Sequence, residues 1–489
     1  MMNWKMWQKC VGKMGKKLPI FLFIFILLYV IGSLICYPML TKRHVLKQKE
    51  KYAEQAAKET VDRSASVRCL DDNTQALVYR LALIESAQQE LIMTTFDMSD
   101  GESGQDLMAA MLQAADRGVR IRLMVDGINA WLKLEKSDLF GAFSTHPNIE
   151  IRFYNPIRLT KLWKLNYRMH DKYLIADDTA YILGGRNSNN LFLGAYRDTY
   201  NIDRDLYVLE RTEKNASDVM QKKERNSLQD IKAYFEKIWV QPDQKIFRKK
   251  ETEKTKEGLA LLREHYKELQ TAYPEAFSET ETLLTQNLIR VDSIQFLHNP
   301  LYADEKVPVV YQRICQEMEQ GETILIQTPY IICDKGMYQD LSELCRAGKQ
   351  IEIITNAVES GANPWGCTDY LNERKSILKT GAGVYACMAG QSLHTKTVLI
   401  DDETSIVGSY NLDLRSTYLD TELMLLVKSK ELNKQLRDQA AAYQQKSTYE
   451  KAGKPSRTGS LYEKKEMSGM QKVIYSILRI LIRPIREVL

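Results

Sequence analysis

Two stretches of this chain carry the same run of chemically capable residues. The first holds His170, Lys172 and Asp177, followed by Gly184, Gly185 and Asn187; the second holds His394, Lys396 and Asp401, followed by Gly408, Ser409 and Asn411. The offsets match residue for residue, and two of only six histidines head the motifs. HDKYLIADDTAYILGG and HTKTVLIDDETSIVGS each read as strand, tight acidic turn, strand. Residues two apart on a strand share a face, so each histidine stands beside its lysine, roughly 7 Å along the chain. Brought together, two such faces offer two imidazoles, two ammonium groups and the amides of Asn187 and Asn411, a cradle for a phosphodiester. Lysines and amides can hold non-bridging oxygens and stabilise developing charge. One imidazole can attack phosphorus to form a phosphohistidine while the other protonates the leaving alcohol. That division of labour needs one neutral and one protonated ring, titrating as a coupled pair. It calls for no metal and no cofactor.

Asp177 and Asp401 complete the catalytic motifs at the turns, where an aspartate commonly bonds nearby backbone. A supporting role is expected there rather than proton transfer. A later acid in each half, Asp205 in NIDRDLYVL and Glu422 in LDTELMLLV, is expected to bond the far nitrogen of a catalytic imidazole and fix its tautomer. The competing reading is an ion pair, with Arg204 for example. Gly184 and Gly408 are expected to let the second strand end close to a ligand. Ahead of the first motif, Arg158, Lys161, Lys164 and Arg168 interleave with Trp163 and Tyr167. That pattern can grip anionic lipid headgroups, follow a nucleic-acid backbone, or face water.

The elements that position these residues repeat. The segment 82–127 recurs in pattern at 313–357: helix, buried strand, helix, Gly turn (Gly118, Gly348), buried strand. Strands alternating with helices imply an α/β fold with parallel sheet. The chain's 489 residues exceed one ordinary core. With 44% apolar and 27% charged residues it is globular, and a net charge of +5 does not by itself mark a nucleic-acid binder. Eight scattered cysteines form no Cys-x-x-Cys pair and have no histidine at zinc-ligand spacing. They read as free, mostly buried thiols, with a disulfide possible among the five between Cys315 and Cys387.

From Leu18 to Leu40 the chain is uncharged and long enough to cross a bilayer. No small-residue cleavage site follows, so it reads as an uncleaved single-pass anchor to the cell membrane. Lysines flank both its ends, and that symmetry leaves the side of the catalytic domain open. At the other terminus, Lys472, Ser476, Arg479, Arg483 and Arg486 fall on one helical face, opposite Val473, Ile474, Ile477, Leu478, Leu481, Ile485 and Val488. Such a helix either lies on an anionic lipid surface or packs on its own domain, and Pro484 disturbs its last turns. The expected organisation is a basic flank (1–17), an anchor (18–40), a helical linker (41–64) and a first half (65–244). A solvated, charged helical connector (245–288) leads to a second half (289–445), a mobile polar linker (446–469) and a basic amphipathic helix (470–489).

The duplicated His-Lys-Asp pattern resembles the phospholipase D superfamily, over about Ala65 to Lys428. Within it, RMHDKYLIADDTAYILGGRN, SLHTKTVLIDDETSIVGSYNLDLRST, RFYNP and the element Asp420–Glu422 are most similar to bacterial cardiolipin synthases, particularly the C-type. The resemblance implies two α/β/α halves facing across a pseudo-twofold, with the active site at their seam. It implies His170 as nucleophile and His394 as general acid, an order the residues themselves leave open. It also implies transfer of a phosphatidyl group to phosphatidylglycerol, with no obligatory protein partner since one chain carries both motifs. The N-terminal anchor departs from the C-type pattern, which weakens the carry-over of its phosphatidylethanolamine donor. The same motifs would serve a phospholipase D hydrolase with water as acceptor. A membrane-tethered nuclease ranks below both, because each terminus points to lipid, and a non-catalytic membrane scaffold would need neither histidine.

Overall fold

The computed structural model describes residues 20–46, 65–210, 226–302 and 305–489. The basic N-terminal flank, most of the 41–64 linker and Cys10 lie outside these residues. Each half repeats the expected order. Asn73–Ser86, Glu90–Thr95, Glu102–Asp116 and Arg120–Asp126 in the first correspond to Val309–Gln320, Thr323–Gln327, Lys335–Arg346 and Gln350–Asn356 in the second. Gly118 (φ 99°) and Gly348 (φ 96°) make the left-handed turns between the last helix and strand of each set.

The sheets are mixed rather than parallel throughout. In the first half the spatial order is Ser66–Leu70, Asp205–Leu209, Ala180–Gly184, Tyr173–Ala176, Glu90–Thr95, Arg120–Asp126, Ile149–Tyr154. Only the last three run parallel to one another. The second half has the same order in Ser293–His298, Leu423–Lys428, Thr404–Gly408, Thr397–Ile400, Thr323–Gln327, Gln350–Asn356, Gly383–Cys387. The two motif hairpins are thus the antiparallel centre of each sheet, where a short turn suffices and no crossover helix is needed. One core cluster lies between the halves and draws on both sheets, including Tyr181, Leu206 and Ile92 from one and Phe296, Leu399 and Leu423 from the other. Two further clusters fill the outer faces.

Two expectations are corrected, and the reading of the cysteines as free thiols holds among the described residues. The connector is not simply solvated: Lys245–Phe247 pairs with the edge strand of the first sheet, and helix Glu253–Ala272 buries Leu262, Tyr266 and Leu269 in the first half's outer core. Its other faces carry the Lys and Glu that dominate the composition. The polar stretch after 445 contributes two edge strands, Ser447–Glu450 and Arg457–Thr458, to the second sheet. The described cysteines are all free, so none of the five from Cys315 to Cys387 is bridged.

Gly184 and Gly408 serve the neighbouring strand rather than a ligand. A Cβ at 184 would strike the Arg204 carbonyl and the Asp205 side chain; one at 408 would strike the Leu423 carbonyl. Gly408→Ala is therefore expected to destabilise the fold by about 1–3 kcal/mol through overpacking, read as a lowered midpoint in denaturant unfolding.

Helix Ile20–Val45 is long and apolar enough to cross a membrane. Its first turns are exposed and apolar, from Ile20 to Leu28, while its later turns rest on the catalytic body. Tyr29 donates to the Leu159 carbonyl at 3.0 Å, Asn166 donates to the Leu34 carbonyl at 2.8 Å, and Lys42 pairs with Asp334 and Glu487. The C-terminal helix, Gly469–Leu481, has three faces rather than two. Tyr475 and Ile482 pack inward, Lys472 and Arg479 are exposed, and Met470, Val473, Ile474, Ile477, Ile480 and Leu481 form an exposed apolar row. Leu478, expected in that row, packs against the second half's core instead. Pro484 opens a 3-10 turn, and Arg486 locks it by pairing with buried Asp369.

Candidate active site

His170 and His394 each enter just before a central strand, and each is reached by a segment of the opposite half. Met169 bridges Thr421, and Leu393 pairs with Ile202 in a two-stranded parallel ladder. These bridges place Glu422 beside His170 and Asp203 beside His394. The His170 Nδ1 lies 2.9 Å from Glu422 Oε1, and the His394 Nδ1 lies 2.5 Å from Asp203 Oδ2. Each ring therefore gives its Nδ1 to a carboxylate across the seam and keeps Nε2 for chemistry. Both rings are also held edge-on by a phenylalanine at 5.0 Å, Phe96 for His170 and Phe192 for His394.

Glu422 is thus where the sequence reading put it. Asp205 is not, and the reading is corrected: its carboxylate is fully buried between Arg80 (2.9 Å) and Arg186 (3.5 Å) in its own half. Nor does it pair with Arg204, which reaches Asp71 in its own half and Gln327, Thr397 and Gln439 across the seam. The missed residue is Asp203. The register reveals the equivalence: Gly184 faces Asp205 where Gly408 faces Met424, so Asp203 corresponds to Glu422. The signal was present as Asn201-Ile202-Asp203 against Asp420-Thr421-Glu422. Gly185 fits the same picture, because a Cβ there would lie against the Asp203 carboxylate, whereas its counterpart Ser409 donates to Glu422. Ser416 gives Glu422 a second hydroxyl at 2.5 Å.

Lys172 and Lys396 are almost wholly buried, and each donates to the carbonyl of its own histidine. Asn187 and Asn411 are buried too, each with an amide oxygen that has no partner among the described residues. Buried polar atoms of that kind are costly unless something else bonds them. Asp177 (φ 51°) and Asp401 (φ 49°) sit at the hairpin turns in the left-handed region that Asp tolerates better than most residues. The first accepts from the backbone N–H of Gln88, Gln89 and Glu90, each at 2.8 Å; the second accepts from Glu322 and Thr323. They clamp the starts of the neighbouring strands, at the opposite end of the motif strand from each histidine.

The basic stretch before His170 is partly paired within the protein, three part-exposed cations sharing one carboxylate. Arg158, Lys161 and Lys164 converge on Asp243, and Arg168 is buried against Asp126. Trp163 and Tyr167 pack on Tyr37 of the N-terminal helix.

Burial dominates the electrostatics. It holds His170 well below its usual range, with Lys172 adding to the fall, and brings His394 down to about 4 against the opposing charge of Asp203. It lowers Lys172 to about 7 and Lys396 to about 8. The two carboxylates part company. Burial raises Glu422 to about 8, despite Lys172 and two hydroxyl donors. Burial also opposes ionisation of Asp203, but Lys396 and His394 outweigh it and keep that carboxyl well below its usual range.

Comparison with known proteins agrees with this geometry. The family model described as the PLD-like domain of cardiolipin synthase matches residues 81–239 and 314–443. Cardiolipin synthase C of Escherichia coli K12 is 26% identical over 399 residues, covering 74% of this chain and 81% of that protein. The major cardiolipin synthase of Bacillus subtilis 168 is 25% identical over 359 residues, covering 73% and 64%. Among solved structures, phosphatidylserine synthase of Haemophilus influenzae Rd KW20 superposes with a TM-score of 0.62 at 15% identity, over 90% of this chain and all of that one, which establishes the shared fold.

Proposed function

The chain belongs to the cardiolipin synthase family of phospholipase D-like proteins, and on that premise we propose that it is a membrane-bound phosphatidyltransferase that makes cardiolipin through a phosphohistidine. The observation that carries the reading is the reciprocal pairing of two motif histidines with two carboxylates across one seam. His170 Nε2 attacks the phosphorus of a donor phospholipid, and the bond from phosphorus to the headgroup oxygen breaks as His394 protonates that oxygen. His394, now neutral, takes the proton from a hydroxyl of phosphatidylglycerol, whose oxygen attacks phosphorus and releases His170. Lys172, Lys396, Asn187 and Asn411 hold the phosphoryl oxygens through both steps.

The carboxylates support this order of roles. Asp203 stays ionised, and its charge raises the affinity of His394 for a proton against the burial that lowers it, which suits an acid. Glu422 leans toward its neutral form, so it orients His170 without favouring protonation of the nucleophile. A phosphodiester anion entering between the lysines raises their affinity for protons and that of the rings together, so the four groups titrate with the substrate.

The membrane reading draws on both termini. Helix Ile20–Val45 serves as the anchor, and the exposed apolar row of helix Gly469–Leu481, bordered by Lys472 and Arg479, lies in the same lipid surface. The test is incubation of the purified full-length protein in phospholipid micelles with labelled phosphatidylglycerol, with and without phosphatidylethanolamine. Cardiolipin is the expected product. Phosphatidate without cardiolipin would mark a hydrolase, and cleavage of a single-stranded oligonucleotide in place of lipid would mark a nuclease.

A further inference from the structure

Lys306 is a buried cation that makes no ion pair among the described residues. It is 2% exposed, and its ammonium donates to the Asp420 carbonyl at 3.0 Å. A lone buried charge is costly to the fold, and an apolar side chain of the same volume would serve packing better. Burial lowers its affinity for a proton to about 8, against the charges of Asp420, Asp171 and Glu422. Two of those carboxylates already have partners: Asp420 accepts from Arg415 at 2.8 Å, and Asp171 from the Tyr234 hydroxyl at 2.7 Å.

The two halves differ at this place. In the first, strand Ser66–Leu70 reaches helix Asn73–Ser86 through Asp71 and Asp72 alone; in the second, Ser293–His298 reaches Val309–Gln320 through the longer link 299–308. Residues of that link grip the segment that carries Glu422. Asn299 donates its backbone N–H to the Glu422 carbonyl at 3.0 Å and its side-chain amide to the Ser416 carbonyl at 2.7 Å, while Lys306 takes the Asp420 carbonyl. Val307 and Val309 pack with Val45, at the end of the N-terminal helix. The nearby cations differ as well. Asp203 is kept ionised by Lys396 and His394, with Arg186 adding to them. The position matching Arg186 in the second half is Tyr410. The longer link supplies Lys306 in its stead.

We propose that Lys306 is a positioning residue for the nucleophile: it holds the Asp420–Glu422 segment beside His170, and its charge opposes protonation of that ring and of the carboxylates around it. The proposal rests on the phosphohistidine reading above. Attack needs the lone pair of His170 Nε2, and a proton that settles there stops the step. A cation near Glu422 resists uptake of that proton by the whole coupled cluster. Lys306 keeps its charge below about 8, so it acts along the acid side of the pH profile. Without that charge, Glu422, Asp171 and His170 all bind protons more readily, and the attacking form is reached only at higher pH. The other groups facing the cluster, Lys172, Arg415, Tyr234 and His298, are the same in every variant below.

The experiment follows the burst of p-nitrophenol from a p-nitrophenyl phosphodiester against pH, with the full-length protein in micelles and the unfolding midpoint measured alongside. Lys306→Gln and Lys306→Met should each move the acid limb of the burst up by about one pH unit, the scale of a single neighbouring charge. The burst then slows by about tenfold on that limb and recovers above it. Lys306→Arg keeps the charge and should leave the limb where it was. Lys306→Met, apolar and of similar volume, should fold at least as stably as the unaltered protein, so it reports if Lys306→Gln does not fold. An unmoved limb in the folded neutral variants, an equal shift in Lys306→Arg, or failure of both neutral variants to fold would overturn the role and leave a purely structural lysine. No burst and no adduct on His170 in the unaltered protein would overturn the phosphohistidine reading and this role with it.

Discussion

Replacing His170 with alanine should erase turnover and covalent labelling together, whereas His394→Ala should still allow His170 to be labelled by a donor with a good leaving group. Both rings have a carboxylate on Nδ1 and no hydrogen-bond partner on Nε2 among the described residues, so geometry alone treats them alike. Their carboxylates do not. Glu422 is pushed up to about 8 by burial, and Asp203 is held ionised by Lys396 and His394. The first arrangement suits a neutral nucleophile and the second an acid. Loss of either histidine from a unit that acts together should lower kcat by about 10⁴-fold or more. The separation comes from a donor such as a p-nitrophenyl phosphodiester, whose leaving group needs no proton. His394→Ala should retain a burst of p-nitrophenol and a trapped adduct on His170, and His170→Ala should show neither. The opposite pattern would reverse the roles.

Asp203→Asn should cost catalysis with the fold intact, and Asp205→Asn should cost the fold. The two residues lie two apart on one strand approach, yet Asp203 faces His394 across the seam and Asp205 is enclosed by Arg80 and Arg186. An amide at 203 still accepts a hydrogen bond but no longer stabilises an imidazolium, and by the triad precedent kcat should fall by roughly 10²–10⁴-fold. The pH profile gives the sign. The Asp203 charge raises the His394 pKa, so its removal lowers it. The protonated ring is then lost at lower pH, and the alkaline limb of the transfer step moves toward acid. At 205 the same change removes the carboxylate that two buried guanidinium groups share. About 3–5 kcal/mol of stability should be lost, as for breaking a buried ion pair from one side, seen in the unfolding midpoint. A reversed assignment, with Asp205→Asn stable and inactive, would restore the original sequence reading.

That reading failed for a physical reason. Period-two alternation says which side chains share a face of one strand, and on that basis His170 with Lys172 and His394 with Lys396 were legible. It does not say what arrives from the other sheet. Glu422 was found because it immediately precedes its strand, Leu423–Lys428. Asp205 begins the equivalent strand, and Asp203 goes unseen in the sequence because the register of that strand against Ala180–Gly184 is a tertiary fact. The repeat of helix, strand and Gly turn was legible because each step is local. Charge is poorly legible in sequence for one cause. Lys161 and Lys164 show no partner in the sequence until Asp243, some eighty positions away, is seen between them. The Lys- and Glu-rich connector looks solvated until its row of Leu262, Tyr266 and Leu269 is placed on the first half.

The exchange of carboxylates across the seam also bears on how the two copies of the repeat can diverge. A half that drifts changes the environment of a histidine it does not itself encode: Ser409 and Glu422 tune His170, while Gly185 and Asp203 tune His394. A polypeptide severed at the connector would yield two fragments that are each inert and jointly complementary. The two copies differ at the paired positions, Gly185 against Ser409 and Asp203 against Glu422, and each difference is felt by the histidine of the other half.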